Sequence, residues 1–297
     1  MGWRTYRTIG LVIVTLLVLM VVSLLLGQTD LTIGGKNSTE QLLLVSILSD
    51  LIEAHTDLQV RQRAFLGGTL VTFQALRQGG LDGYVEYTGT ALTVMLEEDP
   101  IADPDVVYDL VKEEFQKRWD LIWMQPLGFN NIWAMTMRSS HAADLGISTV
   151  SELEPFAEEL VLGATHEFLE RADGYQGLQD VYGFAFGQAR AMDPGLTYQA
   201  VAAGAVDIID AYGTDGRIFA FDLEPLIDDR GHFPPYHAVP VFRADVLRRY
   251  PEIIEVIGLL AGRLDDDTMR SLNYEVDSKK RDPIVVAREW LIQEGLM

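Results

Sequence analysis

The sequence predicts an α/β protein of mainly parallel sheet, large enough for two lobes and preceded by one apolar N-terminal helix. Three observations predict it. Strand-like and helix-like patterns alternate along the chain, the order that builds parallel sheet with helical crossovers. The chain has 297 residues, 48% hydrophobic and 23% charged, which is globular composition with room for two cores. Residues 9–26 form an uncharged apolar run behind Arg4 and Arg7, the pattern of an export signal. That run is long enough to span a bilayer, and the cleavage positions near Gly27 are poor. It is therefore expected to stay as an anchor, with the rest of the chain outside the cytoplasm.

The elements follow in order. A strand is expected at 31–34. Ser38 opens a helix, with Gln41 three residues on as a capping-box partner, and the apolar run 42–52 makes that helix buried. A strand at 59–64, a helix at 70–78 between glycine pairs, and a strand at 81–85 come next. Residues 106–119 are expected as an amphipathic helix and 120–125 as a strand. A second round places strands at 160–164 and 206–211 around a helix at 195–203. The segment 243–297 has helical periodicity.

Composition narrows the function. The chain carries 44 acids against 23 bases, a formal charge of -21, so nucleic acid is an unsuitable partner. With no cysteine there is no thiolate nucleophile, iron–sulfur cluster or zinc–thiolate site. The five histidines form no compact metal pattern, and no nucleophile-elbow, phosphate-cradling or dinucleotide motif is present. No catalytic residue, metal or cofactor is expected. Asp265-Asp266-Asp267 and Asp228-Asp229 are expected as solvated helix starts.

The informative residues are aromatics in turns: Tyr87, Trp133, Tyr212 and Tyr236. Singly, each suits a core or rim. Converging aromatic faces would make a site for a quaternary ammonium, which donates no strong hydrogen bond but is attracted to a π-face.

Gly34-Gly35-Lys36-Asn37-Ser38-Thr39-Glu40-Gln41 resembles the opening block of the glycine betaine/choline-binding proteins of osmoprotectant ABC importers. Further blocks resemble that family in order: Leu66-Gly67-Gly68-Thr69, Tyr84 to Leu92, Gly128-Phe129-Asn130-Asn131, Glu167 to Gly174, Asp207 to Arg217, Phe233-Pro234-Pro235-Tyr236 and Leu272-Asn273-Tyr274. The resemblance implies a two-lobed periplasmic-binding-protein fold of type II that closes on its ligand and passes it to a membrane permease, the protein itself being monomeric. It places lobe one at 31–132 plus 239–297 and lobe two at 133–238, after an N-terminal segment 1–30. It implies an aromatic box of Tyr87, Trp133, Tyr212 and Tyr236 around the ammonium. Lys36, Arg171 and Thr90 would take a betaine carboxylate, and Gln41 and Asp82 would help shape the site. Without the resemblance, Lys36 suits an exposed loop, Arg171 an ion pair, Gln41 a helix cap and Asp82 the surface.

Two departures stand out: Trp133 where the family usually has tyrosine, and Gly35 where it usually has serine. Choline, lacking a carboxylate, would leave Lys36 and Arg171 uncompensated, which favours betaine. A choline- or carnitine-binding protein, and a ligand-sensing domain on the same fold, are the alternatives.

Overall fold

The computed structural model describes residues 29–297. The expected N-terminal anchor at 9–26 lies outside the described residues. No helix among the described residues is long and apolar enough to cross a membrane.

The strands form two five-stranded sheets. The first contains β1 (Leu31–Gly34), β2 (Val60–Arg63), β3 (Gly83–Tyr87), β4 (Leu121–Trp123) and β10 (Ala238–Arg243), in the order β2-β1-β3-β10-β4. The second contains β5 (Trp133–Arg138), β6 (Val161–Thr165), β7 (Gln188–Met192), β8 (Ile208–Tyr212) and β9 (Leu223–Pro225), in the order β7-β6-β8-β5-β9. The two orders are alike. In each sheet a single strand is reversed, β10 in the first and β5 in the second, and the others run parallel. Each reversed strand is the one the chain enters directly after crossing from the other sheet. The two crossings lie side by side, joined by a bridge between Asn130 and His237 and by an Asn131 N–H to Tyr236 carbonyl bond of 3.1 Å.

The helices form where the pattern predicts them. Helix α1 (Thr39–His55) begins at Ser38, whose hydroxyl accepts from the Gln41 N–H at 3.3 Å. Its Leu43, Leu44, Ile47, Leu48 and Leu51 are buried against the first sheet. The reciprocal half of the capping box is not made. The Gln41 side chain turns inward, accepting from Lys36 N–H and donating to the Val85 carbonyl and the Tyr87 hydroxyl. Helix α2 (Thr69–Arg77) and helix α3 (Pro104–Trp119) enclose a second apolar cluster in which Phe73, Phe115, Trp119 and Trp123 pack edge to face or tilted. The C-terminal segment is helical, ending in α4 (Asp266–Asp277) and α5 (Pro283–Gln293).

Asp265 caps α4 by accepting from the Thr268 N–H at 2.8 Å, so the Asp265-Asp266-Asp267 run is a helix start. Asp228 and Asp229 are not. They sit in a turn and tie it to its neighbours: Asp228 accepts from the Tyr182 hydroxyl at the end of a helix and from the Phe233 N–H in the loop that follows, Asp229 from the Ser151 N–H. A carboxylate pair in a turn and one at a helix start look the same in sequence; only the neighbours across the fold distinguish them.

Candidate functional site

Parallel α/β sheets bind ligands beyond the carboxyl ends of their strands, and both sheets here aim those ends at one cleft. Tyr87 is the last residue of β3 and Tyr212 the last of β8. Trp133 opens the reversed strand β5, which brings it to the same edge, directly opposite Tyr212 in the register. Directly opposed residues point their side chains to the same face, and the Trp133 and Tyr212 rings lie 6.2 Å apart, tilted by 31°. Tyr236, in the return crossing, meets Trp133 at 5.6 Å and 65°. Gly89 makes room for it, because a Cβ there would come within 2.8 Å of the Tyr236 ring and the Pro235 carbonyl.

Between the lobes lies a cavity of about 360 Å³. Lys36, Gln41, Tyr87, Thr90, Trp133, Arg171, Tyr212 and Tyr236 all line it. Asp82 does not. It lies at the opposite end of β3, accepting from the Thr32 N–H at 2.7 Å and lying 3.8 Å from Arg243. Its place before a strand, rather than after one, puts it at the wrong edge of the sheet.

The lobes are closed on one another across this cavity. The Thr69 N–H reaches Glu167 at 3.0 Å, the Thr93 hydroxyl reaches Asp173 at 2.8 Å, and Arg171 reaches the Thr90 hydroxyl at 3.3 Å. Gly35, the other departure from the family pattern, packs tightly. A Cβ there would meet Val45 at 2.7 Å and the Gln41 carbonyl at 3.1 Å, so a serine could enter only if Val45 shifted.

The cations are not free. Lys36 Nζ pairs with Glu86 at 2.5 Å, bonds the Thr69 hydroxyl at 3.2 Å, and sits 5.0 Å from the Tyr87 ring centre. Arg171 is held in a two-pronged pair by Asp173, at 2.8 and 2.5 Å, and its guanidinium carbon lies 4.4 Å from the Trp133 ring centre. Arg217 is paired likewise with Asp215 and stacks 4.2 Å from the Tyr198 ring. Burial pushes the Asp173 carboxyl up, but Arg171, Tyr236 and Thr93 outweigh it and hold the group below its ordinary value. The expectation that choline would leave Lys36 and Arg171 uncompensated therefore fails: each already has a buried carboxylate.

Five carboxylates line the cavity, Glu40, Glu167, Asp193, Asp215 and Asp277, against three cations, Lys36, Arg171 and Arg217. With Glu86 and Asp173 behind the wall, the described site is net negative, which suits a cationic ligand group. Glu40 is the residue that sequence reasoning passed over. In the first turn of α1 it suits the helix dipole and needs no further role. In the fold it is buried, accepting from the Tyr87 hydroxyl at 2.5 Å, Asn131 at 2.9 Å, the Thr214 hydroxyl at 2.5 Å and Asn273 at 3.2 Å. Burial raises its carboxyl above the ordinary value, and the hydrogen bonds from Thr214, Tyr87 and Asn273 oppose the rise. Asn131, Thr214 and Asn273 all stand in the family-like blocks, so the signal was present; a polar residue in a turn simply has too many other uses.

A two-lobed α/β chain with adjacent crossings and a ligand-sized, aromatic-walled cavity between its lobes is a binding protein of the periplasmic type. The model of the substrate-binding domain of ABC-type glycine betaine transport systems matches residues 29–293, and the chain belongs to that family. The carnitine transport binding protein OpuCC of Listeria monocytogenes (strain 10403S) is 35% identical over 267 residues, 89% of this chain and 87% of that protein. The ergothioneine transport permease/ergothioneine binding protein EgtU of Helicobacter pylori (strain G27) is 35% identical over 269 residues. That match covers 91% of this chain but only 48% of the longer Helicobacter protein. A solved glycine betaine/carnitine/choline ABC transporter structure superimposes with a TM-score of 0.76 at 34% identity, covering 90% of this chain and 99% of the solved one. As a member of this family, the chain is an extracytoplasmic substrate-binding component of an ABC importer.

Proposed function

We propose that this chain captures glycine betaine or a related quaternary-ammonium solute in the interlobe cavity and delivers it, chemically unchanged and as a monomer, to a membrane permease. The observation that carries the reading is the wall of Trp133, Tyr212 and Tyr236 facing a cavity whose carboxylates outnumber its cations. Aromatic faces attract a cation that water solvates poorly, and the excess of carboxylates adds a long-range pull. Tyr87 completes the aromatic set. Thr90 and the unspent N–H groups of Arg171 are the donors for a ligand carboxylate. The lobes, 31–132 with 239–297 and 133–238, would swing about the paired crossings, and ligand contacts to both would hold them shut. The run 9–26 is proposed to remain as a membrane anchor, which N-terminal sequencing of the membrane fraction tests.

Choline is a second reading, favoured by one observation: with Lys36 and Arg171 already neutralised, a ligand without a carboxylate leaves no bare cation behind. Thermal unfolding with glycine betaine, proline betaine, choline, carnitine and proline tests both readings. A ligand at a hundred times its Kd adds about 2.7 kcal/mol of apparent stability. Stabilisation by the quaternary ammonium compounds and not by proline supports the proposal; no response to any of them refutes it.

A further inference from the structure

Helix α2 of lobe one begins without a cap of its own. Its N-cap residue is Gly68, which has no side chain to accept from the first-turn N–H groups. A helix start in that state carries unsatisfied donors and a partial positive charge. The missing acceptor comes from the other lobe. Glu167, in the first turn of the short helix His166–Glu170 that follows β6, reaches across the cleft. One of its carboxylate oxygens accepts from the Thr69 N–H at 3.0 Å.

Gly68 leaves room for this contact. A Cβ there would come within 2.5 Å of that same Glu167 oxygen, and among the described residues beyond its chain neighbours it would meet nothing else within 4 Å. The Gly68 φ of -72° suits any residue, so lobe one by itself has no need of a glycine here; the closed pair of lobes does. The Thr90 and Thr93 contacts run through Arg171 and Asp173, beside the aromatic wall. The Glu167 contact stands apart from that pair. It includes no ligand atom and so acts with the cleft empty or filled. Thr69, which receives it, accepts from Lys36 Nζ through its hydroxyl at 3.2 Å, so the contact also borders the cavity's lysine.

We infer that Glu167 and Gly68 form a latch: the carboxylate of lobe two caps helix α2 of lobe one and favours the closed form to the same degree whatever the ligand. Glu167 is a positioning residue for capture rather than a ligand contact. The inference rests on the hinge closure proposed above and not on the quaternary-ammonium reading. Binding that requires closure scales with the closed-to-open ratio, so loss of the latch weakens every ligand by one common factor. For a charge-assisted hydrogen bond that factor is about tenfold.

Two measurements on the full chain test it. In calorimetry with glycine betaine and choline, Gly68→Ala leaves every charge in place and pushes the carboxylate off the Thr69 N–H. It is expected to weaken both ligands equally, by about tenfold. Added to Glu167→Ala, it should weaken them by less than about threefold, because the new Cβ then has nothing to displace. The second measurement needs no ligand. The chain has no cysteine, so spin labels on cysteines introduced at exposed Gln74 and Gln199, one in each lobe, report the interlobe distance. Without ligand, Gly68→Ala and Glu167→Ala should each lower the closed-to-open ratio by at least about threefold. Unequal loss of the two ligands in Gly68→Ala would overturn the latch, as would full additivity in the double variant or an interlobe distance distribution that neither substitution moves. If neither ligand binds the parent, the quaternary-ammonium reading fails, and the distance measurement alone decides the latch.

Discussion

Removing the Arg171 side chain should damage the closed protein more than it damages recognition of any one ligand. Arg171 and Asp173 have side chains 10% and 0% exposed, joined by two short bonds. Asp173 also accepts from the Tyr236 hydroxyl at 2.7 Å and the Thr93 hydroxyl at 2.8 Å, so the pair ties lobe two to lobe one and to a crossing. Arg171→Ala leaves a buried carboxylate with two neutral donors. Breaking a buried pair from one side costs about 3–5 kcal/mol, and 3 kcal/mol is more than a hundredfold in an equilibrium constant. Both glycine betaine and choline should therefore bind much more weakly. The companion substitution Asp173→Asn should relieve the stranded charge, making the double variant at least ~2 kcal/mol more stable than Arg171→Ala in urea unfolding. Acidity supplies a second check. In the parent, Asp173 has a depressed carboxyl, so its contribution is present above the unfolded value near 3.9 and fades as pH falls through the folded one. In Arg171→Ala, burial without the cation raises the carboxyl, and stability should instead recover as pH falls from 7 towards 4. A variant that unfolds with the parent and loses only betaine would refute this reasoning and make Arg171 a free carboxylate clamp.

Trp133 is 3% exposed, with Phe168, Tyr212 and Tyr236 around it and Arg171 over its ring. Trp133→Ala should cost ~3–5 kcal/mol of stability as well as binding, whereas Trp133→Tyr should hold quaternary ammonium within about tenfold of the parent; calorimetry and urea unfolding on both variants measure this. Asp210, accepting from Thr165 at 2.9 and 2.6 Å, is pushed up to about 7 by burial. Its raised carboxyl contributes stability that is fully present below the unfolded value near 3.9 and is lost as pH rises towards 7, by up to ~4 kcal/mol. Asp210→Asn should flatten that slope; unfolding curves at pH 5 and 7 that change equally in parent and variant would contradict the assignment.

The alternation of strands and helices was legible because hydrophobic runs of strand and helix length are set by local sequence. Strand direction was not: nothing in Ala238–Arg243 or Trp133–Arg138 says that they run against their neighbours, since direction follows from where the chain crosses between sheets. The aromatic wall was legible as a set of turn residues, and the ordered blocks made it a site. Ion pairing was not. Lys36 and Arg171 were visible as cations, but Glu86 stands fifty residues from Lys36 in sequence. Asp173, two residues from Arg171, gave no hint that it would take both prongs. Asp82 failed because a residue preceding a strand and one following it differ only in which edge of the sheet they reach.

In the proposed function a quaternary ammonium is held in this cavity by charge and π-faces. Titrating the folded chain with glycine betaine and with tert-butylacetate tests it most directly, because the two share shape and carboxylate and differ in the charged nitrogen. A cation–π set worth ~2 kcal/mol in a dry site predicts one-to-one binding of betaine and roughly thirtyfold weaker binding of the carbon isostere. Equal affinity for the two, or binding of the isostere alone, would contradict the account.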